Sequence, residues 1–321
     1  MRHSPDTLSA QPPAPLPVVA LVVDGVDWHA RALSKALAAA GARAVTVSLP
    51  LCGFATQSPS GLNIAGLGGH LPDAVMVRSM SGGTFQAVTL RLGILHALRE
   101  IGIMVWNDAR AIERCVDKSM TSFLLARAGI PTPATWATES PGAARTIVQR
   151  EAIRGPLVLK PLFGSQGRGL RLIQSEADIP EPDFVSGVYY LQRYVAVERD
   201  GFRDFRVFVS QGRVIAAMMR HALHWITNVK RGGKAVAAVI DGEIRELAVR
   251  ATAAVGAEFA GVDIIYDMDG RPTVLEVNSM PAWSGLQKVS QVSIASILAG
   301  DLAAALNTRA RREAMRREAM R

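Results

Sequence analysis

From Val18 to Asn107, short apolar runs alternate with helix-length stretches, and this alternation limits the possible folds more than any other feature of the chain. PVVALVVDG, ARAVTVSLP, PDAVMVRSM and IMVWN each read as a strand, the first of them as a buried, parallel-type strand ending in a turn. A helix is expected over Trp28 to Ala40, closed by Gly41 as its C-cap, and another over AVTLRLGILHALREIG, with Gly102 just past its end. The β-α-β alternation predicts a doubly wound α/β layer. No G-x-G-x-x-G follows the first strand, so a dinucleotide site there lacks support.

Beyond Asn107 the pattern changes. DKSMTSFLLARAG reads as a helix with Met120, Phe123, Leu124 and Ala128 on its apolar face, and IPTPATW as an extended, Pro-punctuated link. From Pro156 strands dominate: PLVLKPL, GLRLI, YYLQRYV, DFRVFVSQGRVIAAMMR and VDIIYDMDGRPTVLEVN, with helices expected at Ala143 to Glu151 and Glu246 to Glu258. An α+β half is therefore predicted. With changes near Asn107 and Gly187, the expected organisation is a disordered leader 1–17, an α/β domain 18–106, a first lobe 107–187, a second lobe 188–308 and a basic tail 309–321.

A chain of 321 residues, 49% hydrophobic and 20% charged, suffices for two or three globular domains. No apolar run approaches the roughly 18 residues of a membrane span. Met1 to Pro17 lacks the basic start and cleavage site of a signal peptide, so a cytoplasmic location is expected. Cys52 and Cys115 are too few for a disulfide framework and lack metal-ligand spacing. The net charge of +8 raises the question of a nucleic-acid partner, but half of it comes from Arg309 to Arg321, where six arginines face Glu313 and Glu318. That tail repeats RREAM at a five-residue spacing that suits no coiled coil. It could hold an acidic partner or RNA, or be a solvated helix end whose arginines suit the C-terminal dipole.

Chemistry concentrates in the last hairpin. Asp269-Gly270 is a two-residue type I′ turn signal, and that register sets Asp263 opposite Glu276 with Asn278 on the same face. Facing like charges ask for a cation, and an oxygen-only set suits Mg²⁺; a solvated edge hairpin would carry the same residues. Lys160 sits inside an apolar strand, LVLKPL, just before Gly164-Ser165-Gln166-Gly167-Arg168-Gly169, whose glycines allow close backbone approach to an anion. The alternative there is a glycine-rich hairpin with a snorkelling lysine. Lys118, in the first turn of a helix, opposes the helix dipole, and is either a ligand group or a solvated surface lysine. Arg206 shares a strand face with Asp204 and Phe208, and is either an anion-recognising fork or half of a surface salt bridge. His221 and His224 have no third His or Cys partner and read as substrate-side polar groups or surface residues.

Taken in order, DKSMTSFLLARAGIPTPATW, LVLKPLFGSQGRGL, LQRYV, DFRVFV, TNVKRGG, VDIIYD and VLEVNSMPAWSG resemble an ATP-grasp ligase of the RimK-like group. The resemblance runs from Asn107 to Gln287, with a weaker fit back to the strand ending in Arg78. It implies an N-terminal pre-ATP-grasp domain followed by a two-lobed ATP-grasp fold, and two cofactors, ATP and Mg²⁺ (or Mn²⁺). Lys118 and Lys160 would hold phosphates under the loop of Gly164, Ser165, Gln166, Gly167 and Gly169. Gln192, Tyr194 and Val195 would form the adenine-binding hinge, and Asp204 and Asn228 would contact the nucleotide. Asp263, Glu276 and Asn278 match the metal ligands. Arg206 and Arg220 are the candidates for the transferring phosphate or the acceptor carboxylate. Ile226 replaces the Arg that RimK members often carry, and the segment from Tyr194 to Asp204 is longer than usual.

What the resemblance implies is an ADP-forming carboxylate-amine ligase that adds L-glutamate or a related amino acid, through an acylphosphate, to a carboxylate on a small cofactor or a protein terminus. No membrane partner is expected, the charge distribution argues against nucleic acid, and a homo-oligomer stays open. Two other readings are a non-catalytic ATP-binding regulatory or scaffold protein, and a ligase tethered to RNA or the ribosome by its basic tail.

Overall fold

The structure, a computed structural model, describes residues 15–164, 167–195 and 201–320. β1 (Val18–Val22), β2 (Arg43–Val47), β5 (Ala74–Val77) and β6 (Met104–Trp106) form a parallel sheet in the order β2-β1-β5-β6, with the small hairpin β3 (Gly53–Phe54) and β4 (Leu62–Asn63) inserted before β5. Both faces of the central strands β1 and β5 are covered, which is why those two show no polar alternation. Ala20, Val22, Val75 and Val77 pack with Ile94, Leu95 and Leu98 of α2 (Phe85–Glu100). Val19, Leu21, Ala74 and Met76 share the opposite core with Leu33 and Leu37 of α1 (Trp28–Ala39).

After α3 (Ala109–Val116), Asp117 caps α4 (Lys118–Arg127) by accepting the Ser119 and Met120 amides at 2.8 and 3.1 Å. The apolar face expected on α4 is not the buried one. Thr121, Ser122 and Leu125 point inward, whereas Met120 and Phe123 are exposed and line a groove of about 600 Å³ with Trp136 and Tyr190. Ser122 is held inside because its hydroxyl bonds the Tyr190 hydroxyl at 2.8 Å.

β7 (Thr135–Thr138), α5 (Pro141–Glu151), β8 (Leu157–Lys160), β9 (Arg171–Ile173) and β10 (Tyr189–Arg193) build the first lobe, an antiparallel sheet in the order β7-β10-β8-β9. β10 belongs to this sheet, so the first lobe runs through Arg193, past the expected change near Gly187. Leu157, Leu159, Tyr189 and Leu191 pack on Ala144 and Val148 of α5, leaving Lys160, Tyr190 and Gln192 on the other face.

The second lobe is a five-stranded antiparallel sheet of β11 (Phe202–Ser210), β12 (Arg213–Ala222), β13 (Lys234–Ala237), β14 (Phe259–Tyr266) and β15 (Pro272–Asn278), with α6 (Gly242–Val255) preceding β14. Val207, Val262 and Val277 lie in one cross-strand row, fully buried beneath Leu247, Ala248 and Ala251 of α6. Each such side chain contributes about 1.5–3 kcal/mol through burial. The adjacent row, Arg206–Asp263–Glu276, necessarily faces the other way. A one-residue slip would drive two carboxylates under α6, so the valine row enforces the register.

α7 (Ser284–Val289) follows, and then α8 (Ile294–Ala319). Leu298 and Leu302 of α8 complete the core around α1, so the C-terminal helix returns to the N-terminal domain. The same core includes Phe208, Met218 and Trp283, which seats that domain on the second-lobe sheet. The basic segment from Arg309 continues α8 as exposed turns. No helix among the described residues is long and apolar enough to cross a membrane.

Candidate active site

β14 and β15 bring Asp263 opposite Glu276, as expected, but through different turn chemistry. The Asp267 carboxylate accepts the Asp269 and Arg271 amides at 2.9 Å each, and only Gly270 takes a positive φ, of 74°. A type I′ turn needs positive φ at both central residues, so the connection is a longer loop closed by Gly270. Near it Ile264 pairs with Val274 and Ile265 with Thr273, one residue out of step with the expected register. Leu275 is left over as a bulge, and from Asp263↔Glu276 onward the expected pairing is restored.

The row continues across the sheet. Arg206 lies beside Asp263 in register and grips it with its whole fork: Nε meets Oδ1, and Nη2 donates to Oδ2 at 2.8 Å. Arg220 reaches the same carboxylate at 3.0 Å while its Nε donates to Asp204 Oδ1 at 2.7 Å. Burial raises the Asp263 carboxyl, but the Arg206 and Arg220 guanidiniums outweigh it and hold the group below the usual carboxylate range. Burial alone would weaken the Arg220 cation, and its two aspartates reverse that. Asp204 is itself buried, with Thr227 Oγ1 donating to Oδ2 at 2.7 Å, so its carboxylate orients Arg220 and Thr227.

Glu276 is different. It is half-buried, and among the described residues its carboxylate has no hydrogen-bond partner. Its charge is felt by Lys118 and Lys160, which approach from the first lobe. Lys160 Nζ donates to Gln192 Oε1 at 2.6 Å. Lys118 Nζ donates to the Leu162 and Gly164 carbonyls at 3.1 and 3.0 Å, tying α4 to the start of the glycine loop. Burial lowers the proton affinity of both lysines, Lys118 lowers that of Lys160 further, and Glu276 opposes the loss at each. The two lysines thus converge on the acidic hairpin.

The glycine loop leans toward the second lobe. A Cβ on Gly167 would stand 2.7 Å from Asn228 Oδ1 and 2.8 Å from Ile226 Cγ2, and one on Gly169 would stand 2.7 Å from Pro161 Cγ. Both glycines have positive φ, 69° and 71°, so space and backbone both exclude a side chain. Ser165 and Gln166 lie outside the described residues. At the expected hinge, Tyr194 donates its amide to Pro156 O at 3.1 Å and sets its ring edge-on to Trp225, with Val195 next in the chain. Gln192 contributes its side chain, through Lys160 and through Tyr190, whose hydroxyl lies 3.3 Å from Nε2.

With both lysines protonated, Lys118, Lys160, Arg206 and Arg220 face Asp204, Asp263 and Glu276, a net excess of one positive charge in a partly desolvated cleft. Such a cleft accepts a polyanion. Two carboxylates and the Asn278 amide on one face also suit Mg²⁺, which takes few protein ligands. No group of three or more His, Cys, Asp or Glu side chains is placed to hold a metal among the described residues, the hairpin included, so a metal there would rest on two carboxylates, the amide and non-protein oxygens. His224 accepts the Ile226 amide at 3.2 Å and lies against Trp225. Cys52 and Cys115 are buried free thiols, and burial pushes Cys115 up to about 12, so neither is a ready nucleophile.

Several residues that frame the cleft carry little sequence signal. Asn107 is wholly buried and staples two segments, donating to the Phe259 and Ser279 carbonyls at 2.7 and 2.6 Å and accepting the Glu258 amide at 2.6 Å. Arg78, Asp27, His29 and Trp283 gather where the N-terminal domain meets the segment after Asn278. A charged residue ending an apolar strand, as Arg78 does, was the available signal.

The RimK-like ATP-grasp domain model matches residues 115–302. A tetrahydromethanopterin:alpha-L-glutamate ligase of Methanosarcina acetivorans is 32% identical over 305 residues, covering 83% of this chain and 92% of that protein. A probable alpha-L-glutamate ligase of Legionella pneumophila is 31% identical over 286 residues, covering 86% and 92%. Among solved structures, the ATP-grasp ligase PsnB, complexed with a phosphomimetic variant of a minimal precursor, Mg and ADP, has the same fold at a TM-score of 0.70, with 23% identity over 91% of this chain and 99% of that one. The cleft between two antiparallel sheets, the order of its motifs and these matches agree: the chain belongs to the RimK-like ATP-grasp family, whose members are ATP-dependent, ADP-forming carboxylate-amine ligases.

Proposed function

We propose that the protein joins L-glutamate, through its amine, to the carboxylate of a small cofactor or a peptide, using ATP and Mg²⁺ in the cytoplasm. One observation carries this reading: Lys118 and Lys160 from the first lobe both face Glu276, which stands opposite Asp263 on the second. The named activity of the Methanosarcina and Legionella relatives supports glutamate as the amine donor.

In this reading Lys118, Lys160 and the glycine loop hold the triphosphate, and Gln192, Tyr194 and Val195 border the base. Asn228, against Gly167, closes the loop over the nucleotide. Asp204 acts through Arg220 and Thr227. Asp263, Glu276 and Asn278 would hold Mg²⁺, which supplies charge neutralisation at the phosphates. Arg206 and Arg220 border the transferring phosphate, offsetting negative charge as it builds there. The acceptor carboxylate oxygen bonds to the γ-phosphorus as the bond to ADP breaks. The amine nitrogen then bonds to the acyl carbon, phosphate departs, and the amine gives up a proton. No protein nucleophile is required, in keeping with the buried thiols.

Purified protein incubated with ATP, Mg²⁺, L-glutamate and a panel of pterin, folate and peptide carboxylates tests this. Acceptor-dependent ADP release with addition of a glutamyl residue, read by mass spectrometry, is expected. Nucleotide binding with no ADP release across the panel would favour a regulatory ATP-binding protein instead.

A further inference from the structure

The N-terminal domain carries a cationic group that the nucleotide cleft does not use. Arg78 immediately follows β5, and Asp24 and Asp27 follow β1. These are the central strands of the order β2-β1-β5-β6, so the three residues lie at the point where the chain's winding reverses. In open parallel sheets, ligands bind beyond the carboxyl ends of the strands at that point.

Arg78 is 8% exposed, yet poorly satisfied. Its Nε has no hydrogen-bond partner, Nη1 reaches the Met280 carbonyl only at 3.5 Å, and Nη2 stays 3.8 Å from Asp27 Oδ2. A buried guanidinium left this way is costly. Its neighbours are committed elsewhere. Asp27 accepts the Ala30 amide and His29 Nδ1, both at 2.8 Å, and His29 Nε2 accepts the Trp283 amide at 3.2 Å. Those contacts fix the Trp283 ring, which lies 5.2 Å beneath the Arg78 guanidinium as a flat floor. The mouth is open to solvent at Asp24 and Asp27, and the exposed Lys230 stands close enough to weaken His29 as a base. Met280 follows the proposed metal ligand Asn278 by two residues, so the Arg78 site adjoins the phosphate end of the cleft.

We propose that Arg78, on its Trp283 floor, anchors the carboxylate of the amino-acid substrate. The inference rests on the ligase reading above. A carboxylate gripped by a guanidinium fork is held with its oxygen lone pairs engaged, which suits a group that takes no part in the reaction. It therefore suits the incoming amino acid better than the acceptor carboxylate, which must offer an oxygen to phosphorus. Asp24, exposed at the same mouth with its amide bonded to Ser79 beside Arg78, favours an amine on the same ligand, completing recognition of a zwitterion.

Calorimetric titration of L-glutamate, then of each other standard amino acid, into protein holding Mg²⁺ and a non-hydrolysable ATP analogue tests the assignment. Arg78→Met is expected to weaken the amino acid that binds at least tenfold, with nucleotide affinity unchanged. The α-carboxamide of that amino acid is expected to bind wild type and Arg78→Met equally. Asp24→Asn, at an exposed position that does not threaten folding, is expected to weaken the amino acid severalfold and decides the matter if Arg78→Met does not fold. Unchanged acid affinity in these variants, an acid-over-amide preference that survives in Arg78→Met, or no amino-acid binding by wild type overturns the assignment. A rise in KM for the acceptor alone would also overturn it, moving Arg78 to the other substrate. Wild-type protein that binds no nucleotide would instead remove the ligase reading itself.

Discussion

Asp263 and Glu276 stand directly opposite each other on β14 and β15, although the loop joining those strands sets them one residue out of step. The bulge at Leu275 absorbs the difference, and a bulge beside a site re-aims the side chains that follow it. The two acids are not equivalent. Asp263 is buried between two arginines, whereas Glu276 is half-buried and faces the lysines.

Glu276→Gln should therefore abolish turnover while sparing the fold. The substitution keeps shape, removes charge and breaks no hydrogen bond among the described residues, so its unfolding free energy from urea melts should stay within about 0.5 kcal/mol of wild type. Turnover, read as acceptor-dependent ADP release, should fall by about 10³-fold, the scale of losing a central electrostatic group. Wild-type kcat would contradict the assignment.

Asp263→Asn should behave in the opposite way. It leaves buried Arg220 and half-buried Arg206 with one counter-charge fewer, a loss of about 3 kcal/mol for a broken buried pair. The pH dependence has a definite sign. The folded carboxyl titrates below its ordinary value of about 3.9, so its stabilisation is complete above that pH and disappears as pH falls through the lower folded value. Urea melts from neutral to acid pH should show wild type losing that increment and the variant lacking it throughout. Equal stability of the variant and wild type at neutral pH would refute this ion pair.

The contrast also shows what the sequence reveals and what it hides. The parallel layer was legible because β1 and β5 are covered on both faces, which removes polar alternation and leaves uninterrupted apolar runs. The facing of Asp263 and Glu276 was legible too, but from a type I′ turn that does not form; the Asp267 side-chain bonds favour another loop, and the bulge compensates. The burial of α4 was misread because Ser122 is drawn inward by Tyr190, a partner 68 residues away, while Met120 and Phe123 face a groove. The Arg78 cluster was out of reach for the same reason, since Trp283 and Met280 join it only through tertiary structure.

Gly167→Ala should act on nucleotide binding alone. The new methyl would press on Asn228 Oδ1 and Ile226 Cγ2 from a backbone with φ of 69°, so the glycine loop must move away from the second lobe. A tenfold rise in KM for ATP, equivalent to about 1.4 kcal/mol, is expected with little change in kcat. Gly270→Ala, at a positive φ with open space, is the control: it should cost about 1 kcal/mol of stability and leave KM unchanged. Equal KM for ATP in Gly167→Ala and wild type would show that the loop does not close over the nucleotide.

The lysines give a test that needs neither metal nor acceptor. Burial lowers the proton affinity of Lys118 and Lys160, and Glu276 partly restores it. A phosphate chain is held by the protonated forms, so affinity for ADP without divalent ion should decline as pH rises through values below the ordinary lysine pKa of about 10.4. Removing the Glu276 charge takes away the restoring influence, so both lysines lose their protons more readily. In Glu276→Gln the decline should begin at lower pH, even though removing an acid ought to favour an anion near neutrality. Calorimetric ADP titrations of both proteins at fixed ionic strength would show the two profiles crossing. If they run parallel, or if the variant's decline moves upward in pH, then Glu276 does not face the lysines and the two lobes do not share one phosphate site.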